Sequence, residues 1–319
     1  MTRRVLITGA SGFVGQWLCE LLIARGAEVT GTTVDPPQRR ETLRPAVRDA
    51  VRWMHADVRS RDDLATILDE SVPDVIFHLA GVTYVPAAAA DPGGAYDVNA
   101  VAAARLVAEL GARRAAGTID PIVVVVGSGE QYGRHDGGPL TEDAPQQPLT
   151  VYAATKVAQE VAALQAWRGS GVRVVCARSF NHTGPGQADH FLVPALVRRA
   201  MVARASGARH LPIGNTTPIR DFLHVRDVVE AYVLLAERGQ PGEVYNVCSG
   251  RGLSVGEIAS LVLERTGAQA ELQPSPELVR PVDLPVLVGD PSKLRGATGW
   301  SPRLELSTAI DELIDAAPR

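Results

Sequence analysis

The chain has 319 residues, 45% hydrophobic and 21% charged, with a formal net charge of −4; this is ordinary for a globular protein of one large or two modest domains and argues against a general nucleic-acid binder. Cys19, Cys176 and Cys248 lie far apart in apolar contexts, the pattern of buried thiols in a reducing compartment and not of a disulfide framework or metal site. No stretch approaches a transmembrane helix in length, and glycines at 9, 12 and 15 break the apolar run after Arg3-Arg4 that would otherwise mimic a secretion signal, so a cytoplasmic protein with no membrane partner is expected.

The first informative stretch is 5–15, Val-Leu-Ile-Thr-Gly-Ala-Ser-Gly-Phe-Val-Gly. It reads as a strand buried on both faces, a tight turn and a helix start. Gly9, Gly12 and Gly15 have the spacing of a dinucleotide-binding turn, in which the early glycines let the backbone approach a pyrophosphate and the last lets helix pack closely on strand. The helix N-terminus then offers amide donors to the phosphates. A helix over 17–24 and a second strand over 28–34 supply the expected context. A tight turn without a ligand is the alternative.

Strand-like and helix-like segments alternate through residue 180, with strands predicted over 5–8, 28–34, 51–55, 75–79, 122–127 and 172–177. That pattern predicts βαβ units and a doubly wound parallel sheet, with the valine-rich run 122–126 as a central strand. After Phe180, Pro and Gly become frequent between helices at 191–204, 254–266 and 307–316. A dinucleotide-binding domain over 1–180 and a smaller C-terminal substrate-binding domain over 181–319 are expected, with the chain returning to the first near 223–248.

Asp35 closes the second strand 20 residues beyond Gly15, where a carboxylate accepts from adenosine ribose hydroxyls and repels a 2′-phosphate. NAD(H) is therefore favoured, with NADP(H) possible through Arg39 or Arg40. Asp57, after the third strand, is placed to meet adenine, with a helix N-cap as its alternative role. Ser128 ends the valine-rich strand, and Tyr152 and Lys156 follow four residues apart, a spacing that puts phenol and ammonium on one helix face. An ammonium beside a phenol is expected to lower the phenol's pKa toward working pH, so that Tyr152 exchanges a proton with a sugar or alcohol oxygen held by Ser128.

The segments Thr8 to Gly15, Ser128-Gly129-Glu130-Gln131-Tyr132-Gly133 and Tyr152-Ala-Ala-Thr-Lys156 resemble the extended short-chain dehydrogenase/reductases acting on nucleotide sugars, the NAD-dependent epimerase/dehydratase group. The resemblance covers nearly the whole chain. It implies a Rossmann-type fold, a homodimer paired through helices near 95–111 and 152–167, and Tyr152 as acid/base, with Lys156 on the nicotinamide ribose and Ser128 on the substrate. By the same resemblance Gly9, Ser11, Gly12, Phe13, Val14, Gly15, Asp35, Asp57, Val58, Leu79, Ala80 and Gly81 contact the cofactor, while Thr83, Ser128, Asn181, Val193, Arg220, Arg280 and Asp283 contact the nucleotide sugar. No metal is implied. The segments Arg178 to Gln187, Arg220-Asp221-Phe222, Val244 to Gly250 and Arg280 to Pro285 look most like GDP-4-keto-6-deoxy-mannose reductases and the related GDP-mannose 4,6-dehydratases. Arg220 and Arg280 suit a diphosphate as guanidinium forks, although Arg220-Asp221 can also form a local ion pair.

Glu130 is the ambiguous residue. In the dehydratases a glutamate at this position removes the proton from sugar carbon 5, and threonine usually stands two places before it. Here that place is Ser128, and Gly129 between them supplies no side chain to help eliminate water. Val34 stands where those dehydratases typically carry an arginine for the NADP phosphate. The favoured expectation is NAD(P)H-dependent reduction of a GDP-4-keto-6-deoxy-hexose, giving GDP-D-rhamnose or a related GDP-deoxysugar. The rivals are a dehydratase or 4-epimerase that recycles bound NAD, and a non-catalytic nucleotide-sugar or NAD sensor.

Overall fold

The computed structural model describes residues 3–34, 43–135, 138–279 and 283–317. The chain opens with β1 (Arg4–Thr8), α1 (Phe13–Ala24), β2 (Glu28–Thr33), α2 (Pro45–Ala50), β3 (Arg52–His55), α3 (Arg61–Ser71) and β4 (Val75–His78). Next come α4 (Val85–Ala90), α5 (Pro92–Tyr96), a π-helical turn (Asp97–Val101), α6 (Ala102–Ala115) and β5 (Ile122–Ser128). A 3-10 turn (Gly129–Tyr132), α7 (Val151–Ser170) and β6 (Val174–Ser179) follow. One seven-stranded sheet takes these strands in the order β10-β6-β5-β4-β1-β2-β3, where β10 is Val244–Val247. Every neighbouring pair in it is parallel. The fold class is therefore the doubly wound parallel sheet.

Its strands are apolar on both faces because helices cover both. Ile7, Phe77, Val124 and Val175 pack with α1 and with α9 (Val225–Arg238), whereas Leu6, Ile76, Val123 and Cys176 pack with α3, α6 and α7. Parallel crossovers place all strand C-termini along one edge. Thr8, His78, Ser128 and Ser179 end neighbouring strands there.

The remaining elements build a separate layer over that edge. They are β7 (Asn181–Thr183), α8 (Leu192–Ser206), β8 (His210–Ile213), β9 (Ile219–His224), β11 (Gly252–Ser254), α10 (Val255–Thr266), β12 (Glu271–Pro274), β13 (Val286–Leu287) and α12 (Leu306–Ala316), whereas α11 (Ser292–Thr298) packs on α9 and β10 of the large sheet. Strand β9 pairs with β7, β11 and β13, while α8, α10 and α12 enclose a core of their own around Leu196, Ile258 and Ile310. Aromatic contacts tie this layer to the large sheet: Phe13 stacks on His182 at 6.1 Å, Tyr84 lies 4.3 Å from His190, and Trp17 Nε1 donates to Pro185 O at 3.0 Å.

Two elements differ from the sequence reading. The single helix expected over 95–111 is interrupted by the π-helical turn, because Asn99 turns inward to bond the loop after β4. Strand β6 continues past Ala177 through Arg178 and Ser179, both buried. The three cysteines are buried free thiols. Among the described residues no helix is long and apolar enough to cross a membrane, and no cluster of three His, Cys, Asp or Glu could hold a metal ion.

Candidate active site

The glycine turn lies at the C-terminal end of β1. Gly9 has φ +71°, and a Cβ there would lie 2.8 Å from Ala80 Cα. A Cβ on Gly15 would meet Gly9 O at 2.6 Å and Ala10 Cα at 2.7 Å, so this glycine lets α1 close onto the turn. Gly12 caps α1 without a side-chain hydrogen bond, and no acidic residue occupies the helix's first turn. The first-turn amides, from Phe13 and Val14 onward, are thus left for an anion. Ser11 Oγ and Thr33 Oγ1 are 2.8 Å apart, and Gln16 Nε2 donates to Ser11 O at 2.8 Å, which fixes the turn.

Beyond β2, Val34 is exposed. Asp35, Arg39 and Arg40 lie outside the described residues. Asp57 is held by Arg59 through Nε at 3.0 Å and Nη2 at 2.6 Å, and these hydrogen bonds keep its carboxyl below the usual range. It does not cap α3; Ser60 does, accepting from Asp63 N at 3.2 Å. Val58 is buried beside it.

Leu79, Ala80 and Gly81 run past the glycine turn, with Ala80 N donating to Thr8 Oγ1 at 3.3 Å. Asn99 holds this loop from below. Its Oδ1 accepts from Val82 N at 2.8 Å, and its Nδ2 donates to Val82 O at 3.0 Å and Thr155 Oγ1 at 2.8 Å. Sequence reasoning did not single out Asn99, because an isolated asparagine in an alanine-rich helix carries no motif.

Ser128, Tyr152 and Lys156 come together. The Ser128 hydroxyl bonds Tyr152 and accepts from Glu130 N at 3.2 Å. Tyr152 and Lys156 project from the first turns of α7, whose N-cap Thr150 accepts from Ala153 N at 3.1 Å. Lys156 Nζ donates to Val126 O at 2.9 Å and to Gln159 Oε1 at 2.8 Å. Two of its three ammonium protons are thereby used.

The electrostatics correct one expectation. Tyr152 is pushed up and not down: burial is the main cause, the Glu130 charge adds to it, and the Ser128 hydrogen bond only partly offsets them. Lys156 points its bonds at Val126 and Gln159, and burial lowers it to about 8. Desolvation is the leading cause for both groups. Behind the lysine, His78 is held neutral at about 3, by burial first and the Lys156 charge second. His78 Nε2 and Gln159 Nε2 are buried without a partner.

On the facing layer, Asn181 Nδ2 donates to Asp221 O at 3.4 Å, Val193 is buried in the first turn of α8, and Thr83 is exposed on the loop after β4. Arg220 pairs with Asp283 and donates to Leu284 O at 2.7 Å. Asp221 is not its partner; that carboxylate takes Ser249 N at 2.8 Å, Ser249 Oγ at 2.6 Å and Gly250 N at 2.9 Å. Neighbouring residues on a strand point to opposite faces, so the two part. Arg280 lies outside the described residues.

These residues fit a dinucleotide: a glycine cradle that a Cβ would fill, an uncapped helix start, and a lysine with one proton left to donate. Comparison with known proteins agrees. The profile of the family described as GDP-mannose 4,6 dehydratase matches residues 6–313. GDP-6-deoxy-D-mannose reductase of Pseudomonas aeruginosa is 33% identical over 317 residues, covering 98% of this chain and 97% of its own. The structure of RMD from Pseudomonas aeruginosa complexed with NADPH superposes with a TM-score of 0.83 at 31% identity, covering 99% and 98% of the two chains. That of Thermus thermophilus UDP-glucose 4-epimerase in complex with NAD gives 0.85 at 29% identity, covering 98% of each.

A carbonyl reduction here would use the protonated phenol as its acid and the ammonium to support the phenolate left behind. Because Tyr152 is raised and Lys156 lowered, the lysine loses its proton first. The profile of kcat/KM against pH is expected to hold through neutrality and fall above about 8. A profile flat to pH 10 would separate Lys156 from the chemistry.

Proposed function

From the membership of this chain in the GDP-mannose 4,6 dehydratase family, a branch of the extended short-chain dehydrogenase/reductases, we propose that it reduces the 4-keto group of a GDP-4-keto-6-deoxy-hexose to a GDP-6-deoxyhexose. It is an NAD(P)-dependent nucleotide-sugar oxidoreductase. The observation that carries the reductase reading is Gly129. A Cβ there would stand 3.1 Å from Cγ, Cδ1 and Cδ2 of Phe180, so the position next to Ser128 has no side chain, and one placed there would press on that ring. Eliminating water from carbons 5 and 6 calls for an acid as well as a base there, whereas reducing a ketone needs only a proton donor at its oxygen.

Each catalytic side chain then has a task. Ser128 donates to the ketone oxygen and sets its direction. Tyr152, kept protonated by burial, gives its proton as the oxygen becomes an alkoxide. Lys156 holds the ribose and steadies the phenolate. Nicotinamide, when bound by the glycine turn and the loop 79–81, supplies the hydride. Glu130, one residue beyond Gly129, contacts the sugar. Asn181 and Arg220 hold the nucleotide diphosphate from the other layer, Arg220 exchanging Asp283 for phosphate oxygens, with Val193 against the nucleotide and Arg280 as a second guanidinium for the diphosphate.

The decisive assay supplies GDP-4-keto-6-deoxy-mannose and follows the absorbance of reduced nicotinamide. One equivalent is expected to disappear per sugar reduced, and GDP-mannose alone is expected to give little product. In the same assay Tyr152→Phe should lose on the order of 100- to 10,000-fold in rate while still binding cofactor. Robust conversion of GDP-mannose to its 4-keto-6-deoxy form without net cofactor change would make Glu130 a base and the protein a dehydratase.

We read the cofactor as NADH in preference to NADPH, from Asp35 and from Val34, whose exposed aliphatic side chain offers a 2′-phosphate no charge. Direct titration should give the smaller Kd for NADH. A tighter NADPH complex would place Arg39 or Arg40 on the phosphate.

Assembly follows from a different surface. Tyr96, Val101, Val161 and Trp167 are exposed on α5, the π-helical turn and α7, and α6 packs on α7 through their other faces. Covering these apolar side chains favours a homodimer. Light scattering at micromolar concentration is expected to give twice the chain mass, and a monomer would refute the pairing.

A further inference from the structure

The turn that carries Ser128 and Glu130 rests on a buried polar cluster that ketone reduction does not itself require. Gln131 folds back over Gly127, where a Cβ would strike its Oε1. That Oε1 accepts from Ser128 N at 2.7 Å, while Nε2 donates to Glu160 Oε2 at 3.1 Å. Glu160 lies on α7 four residues beyond Lys156. Its Oε2 also accepts from Arg178 Nε at 2.9 Å, and its Oε1 from Arg178 Nη2 at 2.7 Å and Gln146 Nε2 at 2.6 Å. Arg178 continues to the Tyr132 hydroxyl at 2.8 Å, at the far end of the same turn, and that hydroxyl donates to Asn246 Oδ1 at 2.7 Å.

The Arg178 and Glu160 side chains are only 7% and 6% exposed. A buried ion pair adds little net stability over apolar side chains of similar volume. What a fully bonded one supplies is orientation. Each oxygen of Glu160 takes two donors, which fills the carboxylate and stops it rotating. A fixed carboxylate dictates which way the Gln131 amide lies, NH2 toward Glu160 and oxygen toward Ser128 N. Helix α7 thereby holds the backbone of the serine that faces its own tyrosine.

We propose that Gln131 and Glu160 are positioning residues: their hydrogen bond locks the Ser128 backbone to α7 and so sets the spacing of the Ser128 and Tyr152 hydroxyls at the reacting oxygen. This rests on the carbonyl-reduction reading of the site. Neither residue touches the substrate. Both act through Ser128.

The test compares Gln131→Met, Gln131→Glu and Glu160→Gln. Gln131→Met removes both bonds at similar volume and leaves the Arg178–Glu160 pair intact, so it is the variant that folds if the charge changes do not. Folded sites are counted by cofactor titration. Per site, Gln131→Met is expected to lower kcat by about 10- to 100-fold, with the KM for cofactor unchanged. Each charge-altering single variant should be similarly slow: one pairs two carboxylates, the other leaves Arg178 without its anion. A Gln131→Met enzyme that loses melting temperature but keeps wild-type kcat per site overturns the proposal. Ratios are taken on whichever nucleotide sugar the wild type turns over. A wrong substrate assignment then appears as a wild-type preference, and a wrong anchor as a ratio near one.

Discussion

Everything in this molecule depends on parallel pairing. Because all seven strands of the large sheet run the same way, every strand-to-helix junction of that sheet falls on one edge, and residues far apart in sequence meet there. Thr8 pairs with His78, His78 with Val125, and Ser128 with Ser179. From those four strand ends the chain delivers the glycine turn, the loop 79–81, the Ser128 turn and Asn181. No single segment has to be long or unusual. The second layer, tied down by Phe13 on His182 and Trp17 on Pro185, needs only to close over this edge to complete a cleft.

Burial then sets the chemistry of that cleft. A tyrosine and lysine four apart suggest, on paper, a phenol made acidic by its neighbour. The structure reverses this: both groups leave water, and desolvation favours the neutral form of each. Such a phenol is a reluctant acid until a strong base forms against it, and an alkoxide is that base. The arrangement thus suits delivery of a proton late in a reduction. His78 follows the same logic and stays neutral beside the ammonium.

The features legible in sequence are those with a local physical signature. Glycine spacing, alternating strand and helix periods, and an i, i+4 pair each leave a mark within a few residues, and these gave the sheet and the Ser128, Tyr152 and Lys156 cluster. Features set by partners elsewhere left none. Arg178 ended the predicted sixth strand because a charge interrupts an apolar run; Glu160, on another element, lets the strand continue through it. Asn99 broke a helix that its neighbours would continue. The alternative of a local Arg220–Asp221 ion pair does not form, because strand alternation sends Asp221 to a different set of donors and leaves Asp283, 63 residues on, as the partner.

Gly129 shows how packing fixes a functional choice. Phe180 is met at the base of its ring by Gly129 and at its tip by Gly289, where a Cβ would lie 2.6 Å from Cζ. A side chain at 129 would have to displace the ring by a few tenths of an ångström, and forcing extra atoms into a packed site typically costs about 1–3 kcal/mol. The glycine beside Ser128 is therefore favoured by the core beneath it. A polar side chain at 129 therefore has to be accommodated by movement of Phe180, which couples the packing at 180 to whether this site can acquire an acid next to Ser128.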